Sequence, residues 1–205
     1  MLKKLNISGK ALRLSLIFGL ISAIFLSFAD FSAGCEDLRQ NVLRLHIIAN
    51  SDSAADQALK LKIRDRIIES SPDIFASSEE VDDAIAVAQN NLPYFEKIAN
   101  EVIAEENFDY TASVSLAECY FETRVYDDFT LPAGNYESLI ITLGKGEGKN
   151  WWCVIFPEIC LPAASKASLD DTVNDKGTKI AEEPNRYILR FRVVEIYEQI
   201  KNWLK

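Results

Sequence analysis

The 205-residue chain predicts an α+β domain: a mainly antiparallel sheet with helices packed on one face, plus a C-terminal helix. Three observations predict it. Apolar residues recur with helical spacing over residues 54–69 and 81–105. They cluster or alternate as strands in separate blocks elsewhere. Short polar or glycine-rich connections join neighbouring strand blocks, as in hairpins. With 48 % apolar residues, the chain can build a core after a targeting segment is set aside.

The N-terminal residues differ from the rest. Lys3, Lys4, Lys10 and Arg13 precede the uncharged run Leu14–Phe28, LSLIFGLISAIFLSF. That run is shorter than the roughly 20 residues a spanning helix needs and suits the hydrophobic part of a secretory signal. Ser27-Phe28-Ala29 offers small residues at the positions a signal peptidase prefers, leaving Asp30 as the new terminus. Extension back to Ala11 across Arg13 gives an uncleaved anchor instead. Ser32-Ala33-Gly34-Cys35 faintly resembles a lipoprotein processing site, without the usual leucine three residues before the cysteine. Residues 1–29 are thus read as signal peptide or membrane anchor, and 30–205 as one extracytoplasmic domain. Removing residues 1–29 takes four basic residues from a net charge of −9, leaving −13. Nucleic acid and anionic lipid both repel such a field. No nucleic-acid partner is expected, and membrane contact is expected only through the N-terminal segment.

Along the domain, VLRLHIIAN (Val42–Asn50) is a compact β-prone run. It ends at Asn50-Ser51-Asp52-Ser53, a cluster suited to a turn and a helix N-cap. Leu59, Ile63 and Ile67 then recur every four residues with charges on other faces, predicting an amphipathic helix to about Glu69 that Ser71-Pro72-Asp73 stops. Ser77 and Glu80 have the spacing of a capping box. Val81, Ala84, Ile85 and Ala88 continue a second helix, which kinks or restarts at Pro93 and runs to about Glu105. Tyr110, Ala112, Val114 and Leu116 alternate as a strand. From Cys119 the apolar set moves to odd positions, which predicts a bulge or turn. YESLIITL and WWCVIF supply two more strands. Residues 163–185 read as a polar surface loop. Tyr187, Leu189 and Phe191 alternate again, and Val193, Ile196, Tyr197, Ile200 and Trp203 take up helical spacing.

The stretch Gly144–Cys160, GKGEGKNWWCVIFPEIC, carries most of the chemistry worth weighing. A Walker-type phosphate loop needs a first glycine where Leu143 stands and a hydroxyl where Asn150 stands, and a strand rather than a helix follows. The glycines therefore read as a hairpin connection. Consecutive strand residues point to opposite faces, so one of Trp151 and Trp152 fills the core while the other lies outside it, on the surface or under a covering loop. An exposed tryptophan beside Lys149 and Asn150 has the composition of a binding hot spot. Cys153 and Cys160 form a possible disulfide in an oxidising compartment, provided the chain folds back near Phe156-Pro157-Glu158. The alternative keeps both as buried apolar residues. A cysteine hydrolase would have only His46 as base, zinc lacks ligands, and nothing singles out a pair of carboxylates for glycan hydrolysis. Asn50, Asp52 and Asp56 could hold a hard cation, but capping explains them better. No catalytic residue, metal or cofactor is expected.

LRLHIIANSDSAADQALKLKIRDRIIE, ETRVY and LPAGNYESLIITLGKGEGKNWWCVIFPEIC together resemble the stage II sporulation protein R family, from about Val42 to Cys160, with a weaker echo in YILRFRVVEIYE. Two positions depart from it. Glu122 stands where the family usually reads Phe-Pro-Thr-Arg, and Glu158 stands where a second proline usually follows Pro157; both bear on local loop shape. The resemblance implies a secreted signal rather than an enzyme. Such proteins are made in the forespore and exported into the space between its membrane and that of the mother cell. There they activate a membrane-embedded aspartic-type protease that matures the sigma factor E precursor. Lys149, Asn150, Trp151, Trp152 and Arg124 are the residues expected at the partner contact, and the helix carrying Lys60, Arg64 and Asp65 is another candidate surface. The competing expectation is an exported peptidoglycan hydrolase or glycan-binding module that stacks aromatics on sugar rings.

Overall fold

The computed structural model describes residues 9–126, 129–157, 173, 175–182 and 184–204. Helix α1 spans Gly9–Gln40 and leads into strand β1, Leu43–Ile48. Helices α2 (Ala54–Phe75), α3 (Val81–Asn90) and α4 (Leu92–Glu105) follow, then β2 (Ala112–Phe121). A short pair, β3 (Arg124–Val125) and β4 (Thr130–Leu131), precedes β5 (Gly134–Leu143) and β6 (Asn150–Phe156). Helices α5 (Asp175–Glu182) and α6 (Pro184–Trp203) end the chain.

The main sheet has the order β2-β5-β1-β6. β2 with β5 and β1 with β6 are antiparallel, while β1 and β5 are parallel. The α+β class, the preponderance of antiparallel pairing and the C-terminal helix are as the sequence predicts. One parallel pair arises because α2–α4 and β2 intervene between β1 and β5, a connection long enough to cross over.

Each face of the sheet carries a core. On one face, Leu45, Ile47, Leu139, Ile141 and Ile155 pack against Leu59 and Ile63 of α2 and Phe95 and Ala99 of α4. On the other, Val154, Phe121 and Tyr136 meet Phe31, Cys35 and Leu38 of α1, Ile180 of α5 and Phe191 of α6. The structure thus adds a second helical layer to the one expected from α2–α4. α1 crosses the expected segment boundary near residue 30 without a break. Its part from Leu12 to Leu26 is bare, while Phe31, Cys35 and Leu38 are buried. Among the described helices, α1 is the one long and apolar enough to cross a membrane. Cys35 is fully buried, and burial pushes its thiol up to about 12. A lipid attached there would displace this core, at odds with the lipoprotein reading.

Four local expectations are corrected. β2 is unbroken, its ten residues pairing one-to-one with β5 without the bulge or turn expected near Cys119. The apolar set changes parity because Ala112 is buried in the first core and Phe121 in the second. Two-sided cover, rather than a register slip, explains the pattern. α2 runs through Pro72 to Phe75, which is buried; the hydroxyls of Ser70 and Ser71 donate to the Ile67 carbonyl at 2.9 and 2.7 Å across the weakened turn. The span expected as a loop, 163–185, contains α5, with Ile180 and Ala181 buried in the second core. Its stretch 163–172 lies outside the described residues. Tyr187–Phe191 is the start of α6 rather than a strand, and Pro184 suits its first turn, where no amide is needed.

Candidate functional site

The ANSD and GKGEGKN segments, almost a hundred residues apart, form one interlocked structure at the carboxyl ends of the parallel strands β1 and β5. Gly148 N donates to Ala49 O at 2.8 Å and Glu147 N to Asn50 O at 3.2 Å. Asn50 Oδ1 accepts from Lys145 N at 3.0 Å, and Asp52 Oδ1 accepts from Lys149 N at 2.7 Å. Gly144 and Gly146 have φ of 55° and 65°, the left-handed region where a side chain is strained. At Gly148 the reason is space, since a Cβ there would collide with the Ser51 carbonyl. The glycines serve close backbone approach, in keeping with a connection and not a phosphate loop.

Asp56 organises the assembly from beneath. Its carboxylate accepts from Ser51 Oγ, from Asn50 Nδ2 at 3.1 Å and from Tyr110 OH at 2.6 Å, while its amide donates to the N-cap oxygen Ser53 Oγ at 3.1 Å. Burial alone would raise its pKa, but the bonds from Ser51, Tyr110, Asn50 and Ser53 outweigh it and hold the carboxyl below its usual range. Asn50, Asp52 and Asp56 are each occupied by the loops, which favours capping over a cation. Lys60 is buried as well; its Nζ donates to Gln57 Oε1 at 2.6 Å and to the Lys149 carbonyl at 2.8 Å. Sequence reasoning missed Asp56 as the hub and Tyr110 as its partner. The polar cluster before α2 was the available signal.

Lys149 and Asn150 are exposed on this platform. Trp151 and Trp152 point to opposite faces, as strand geometry requires, yet neither is a core residue and neither is fully exposed. Trp151 packs at the rim of the first core under the Arg64 guanidinium, 4.3 Å from its ring centroid. Its indole N–H is buried without a hydrogen-bond partner. Trp152 rims the second core, stacked on His46 at 3.7 Å and edge-on to Phe121 at 4.6 Å. The expectation of one core and one outside tryptophan is therefore replaced by two half-buried ones, because both faces of the sheet are covered. Arg124 is exposed on β3, beyond the opposite end of β2 from the one that aligns with Asn150. The structure brings Lys149 and Trp151 together with Arg64, turns Asn150 to the opposite face with His46 and Trp152, and leaves Arg124 elsewhere.

Cys153 is disulfide-bonded; Cys160, its expected partner, lies outside the described residues. Cys35 and Cys119 are free. Cys119 Sγ lies 3.5 Å from His46 Nδ1, a contact that sequence spacing did not reveal. Burial raises the thiol, opposed by Arg44, and burial lowers the imidazole, opposed by a bond with Asn150. Both shifts favour neutral partners, the reverse of the thiolate–imidazolium pair used by cysteine nucleophiles.

A sequence model of the family described as Stage II sporulation protein R (spore_II_R) matches residues 39–166. Stage II sporulation protein R of Bacillus subtilis (strain 168) is 36 % identical over 150 residues, covering 70 % of this chain and 67 % of that protein. No solved structure matches significantly. The matched span holds the whole interlocked platform and the main sheet, so the chain belongs to the stage II sporulation protein R family and has a role in sporulation.

Proposed function

We propose that this protein is an extracytoplasmic signal. Exported from the forespore, it binds and activates a membrane-embedded aspartic-type protease of the mother cell, which then matures the sigma factor E precursor. The observation that carries the reading is family membership over the stretch that builds the loop platform. The bare apolar α1 ahead of the domain supports export by a signal or an anchor, and the neutral Cys119–His46 pair supports a binding role over catalysis.

The contact surface in this reading is Lys149 and Trp151 with Arg64 on the adjoining helix, bordered by Asn150 at the start of β6. They combine an aromatic, cations and an amide on a backbone fixed from below, the preorganisation that limits ordering costs on binding. Activation requires tighter binding to the active protease state than to the inactive one, since equal affinity shifts no population. The test is co-expression with the candidate protease and sigma precursor in a non-sporulating host. Precursor processing is expected with the wild-type chain and is reduced at least tenfold by Lys149→Ala with Trp151→Ala. Normal processing by an exported, folded double variant would remove this surface from the account.

A further inference from the structure

Helix α6 is apolar on two sides. Its inner side enters the second core, where Tyr187 stacks on Phe31 of α1 at 5.3 Å, Phe191 meets the same ring edge-on at 5.2 Å, and Val194 is buried. The outer side carries Leu189, Val193, Ile196, Ile200 and Trp203, between 50 and 84 % exposed. Ile188, Tyr197 and Leu204 widen this stripe and are exposed too. The bare area is on the order of 1,000 Å², well beyond the few hundred Å² a soluble monomer usually leaves in one patch. The intervals along it run four, three, four, three. That is the a/d seam of a two-heptad coiled coil, so the shape that fits it is another helix.

The bilayer does not fit. α6 runs alongside α1 in the same direction: Arg190 Nη2 donates to Ser27 Oγ at 2.8 Å, Phe31 meets Tyr187 and Phe191, and Arg39 lies 3.7 Å from Glu198. Both helices advance away from the bare apolar part of α1. Leu189 is level with the end of that part, whereas Trp203 lies about 21 Å further along at 1.5 Å per residue. A helix lying on a membrane sinks its whole apolar face only about 5–10 Å into the interface. A membrane crossed by α1 therefore reaches the first turn of the stripe and leaves the remainder bare.

We propose that the stripe pairs with the same stripe of a second copy, α6 parallel to α6. Parallel pairing sends both α1 helices into one membrane, while an antiparallel pair would aim them in opposite directions. The contact is isologous and closes on itself. Its area is of the size that a standard interface buries on each partner, about 800 Å². With Leu189 at d, Val193 and Ile200 take the a positions, and β-branched residues there favour two strands. Arg192 at g then faces Tyr197 at e across the seam, so the pairing does not oppose like charges there.

The test is oxidative crosslinking of the full-length chain in membranes, carrying Ile200→Cys on the seam or Lys97→Cys on the exposed face of α4. The seam variant is expected to give a covalent dimer at least fivefold more abundant than the control. In the otherwise wild-type chain, Val193→Asp with Ile200→Asp is expected to convert a dimer in detergent to a monomer with an unchanged circular dichroism spectrum. A monomeric wild-type chain would overturn the proposal. So would crosslinking of the seam cysteine only to a different protein, or quenching of a fluorophore at that cysteine by nitroxide lipids.

Discussion

The ammonium of Lys60, on a residue only 4 % exposed, donates to the backbone carbonyl of Lys149 at 2.8 Å. A buried cation on α2 thereby fixes the loop that presents the exposed Lys149 side chain. Burial lowers the pKa of Lys60, opposed by Asp52, so the charge is costly and is held by these bonds. Lys60→Met keeps an unbranched side chain, one atom shorter, and removes both bonds. It is expected to cost about 1–3 kcal/mol by urea denaturation, the range for leaving a buried hydrogen-bond partner unsatisfied. Precursor processing is expected to fall as well, although residue 60 is barely accessible.

Asp56 makes stability depend on acid. Its folded pKa is depressed while the unfolded chain has the ordinary value, about 3.9. Below that value the unfolded state binds more protons, so the contribution is fully present at neutral pH and is lost as pH falls from about 4 through the folded pKa. Asp56→Asn is expected to be less stable than wild type at pH 7 and to approach it at pH 3, in denaturant midpoints measured at both.

Gly148→Ala is expected to lower stability by about 1–3 kcal/mol, because the added methyl meets the Ser51 carbonyl, rigid backbone that cannot swing away. A shift in melting temperature reads it directly. Ala55→Gly on the exposed face of α2 changes only helix propensity and is expected to cost about 1 kcal/mol or less.

The tail of α1 is part of the domain. Leu38 is fully buried in the second core, so Leu38→Ala is expected to cost about 2–5 kcal/mol in equilibrium unfolding, as a large-to-small change in a packed core does. Leu16→Ala, on the bare part of the same helix, is expected to leave the unfolding midpoint of the domain unchanged.

Much of this fold was legible because local chemistry and tertiary packing agree. Ser53 caps α2 as its position suggests, and Pro93 sits in the first turn of α4, a restart rather than a kink. Failures came where a signal had two causes. The parity change in β2 looked like a bulge because the sequence does not show that both sheet faces are covered. Tyr187, Leu189 and Phe191 looked like a strand because α6 buries one side and leaves the other apolar and bare. Glu80, expected to end a capping box begun by Ser77, is itself the N-cap of α3, with Asp83 reaching back. Within the site, Lys149, Asn150 and the opposed tryptophans were readable from composition and strand period. The Lys60 and Asp56 bonds were not, because they join segments far apart in sequence.

In the function proposed above, the folded platform acts outside the cytosol as a surface read by a membrane protease. Reconstitution in a non-sporulating host measures it most directly, with sigma precursor processing followed by immunoblot. Processing is expected when the chain carries its N-terminal apolar segment and is exported, and none when that segment is deleted or when Lys149 and Trp151 are both alanine. Equal processing by a chain retained in the cytosol would contradict it.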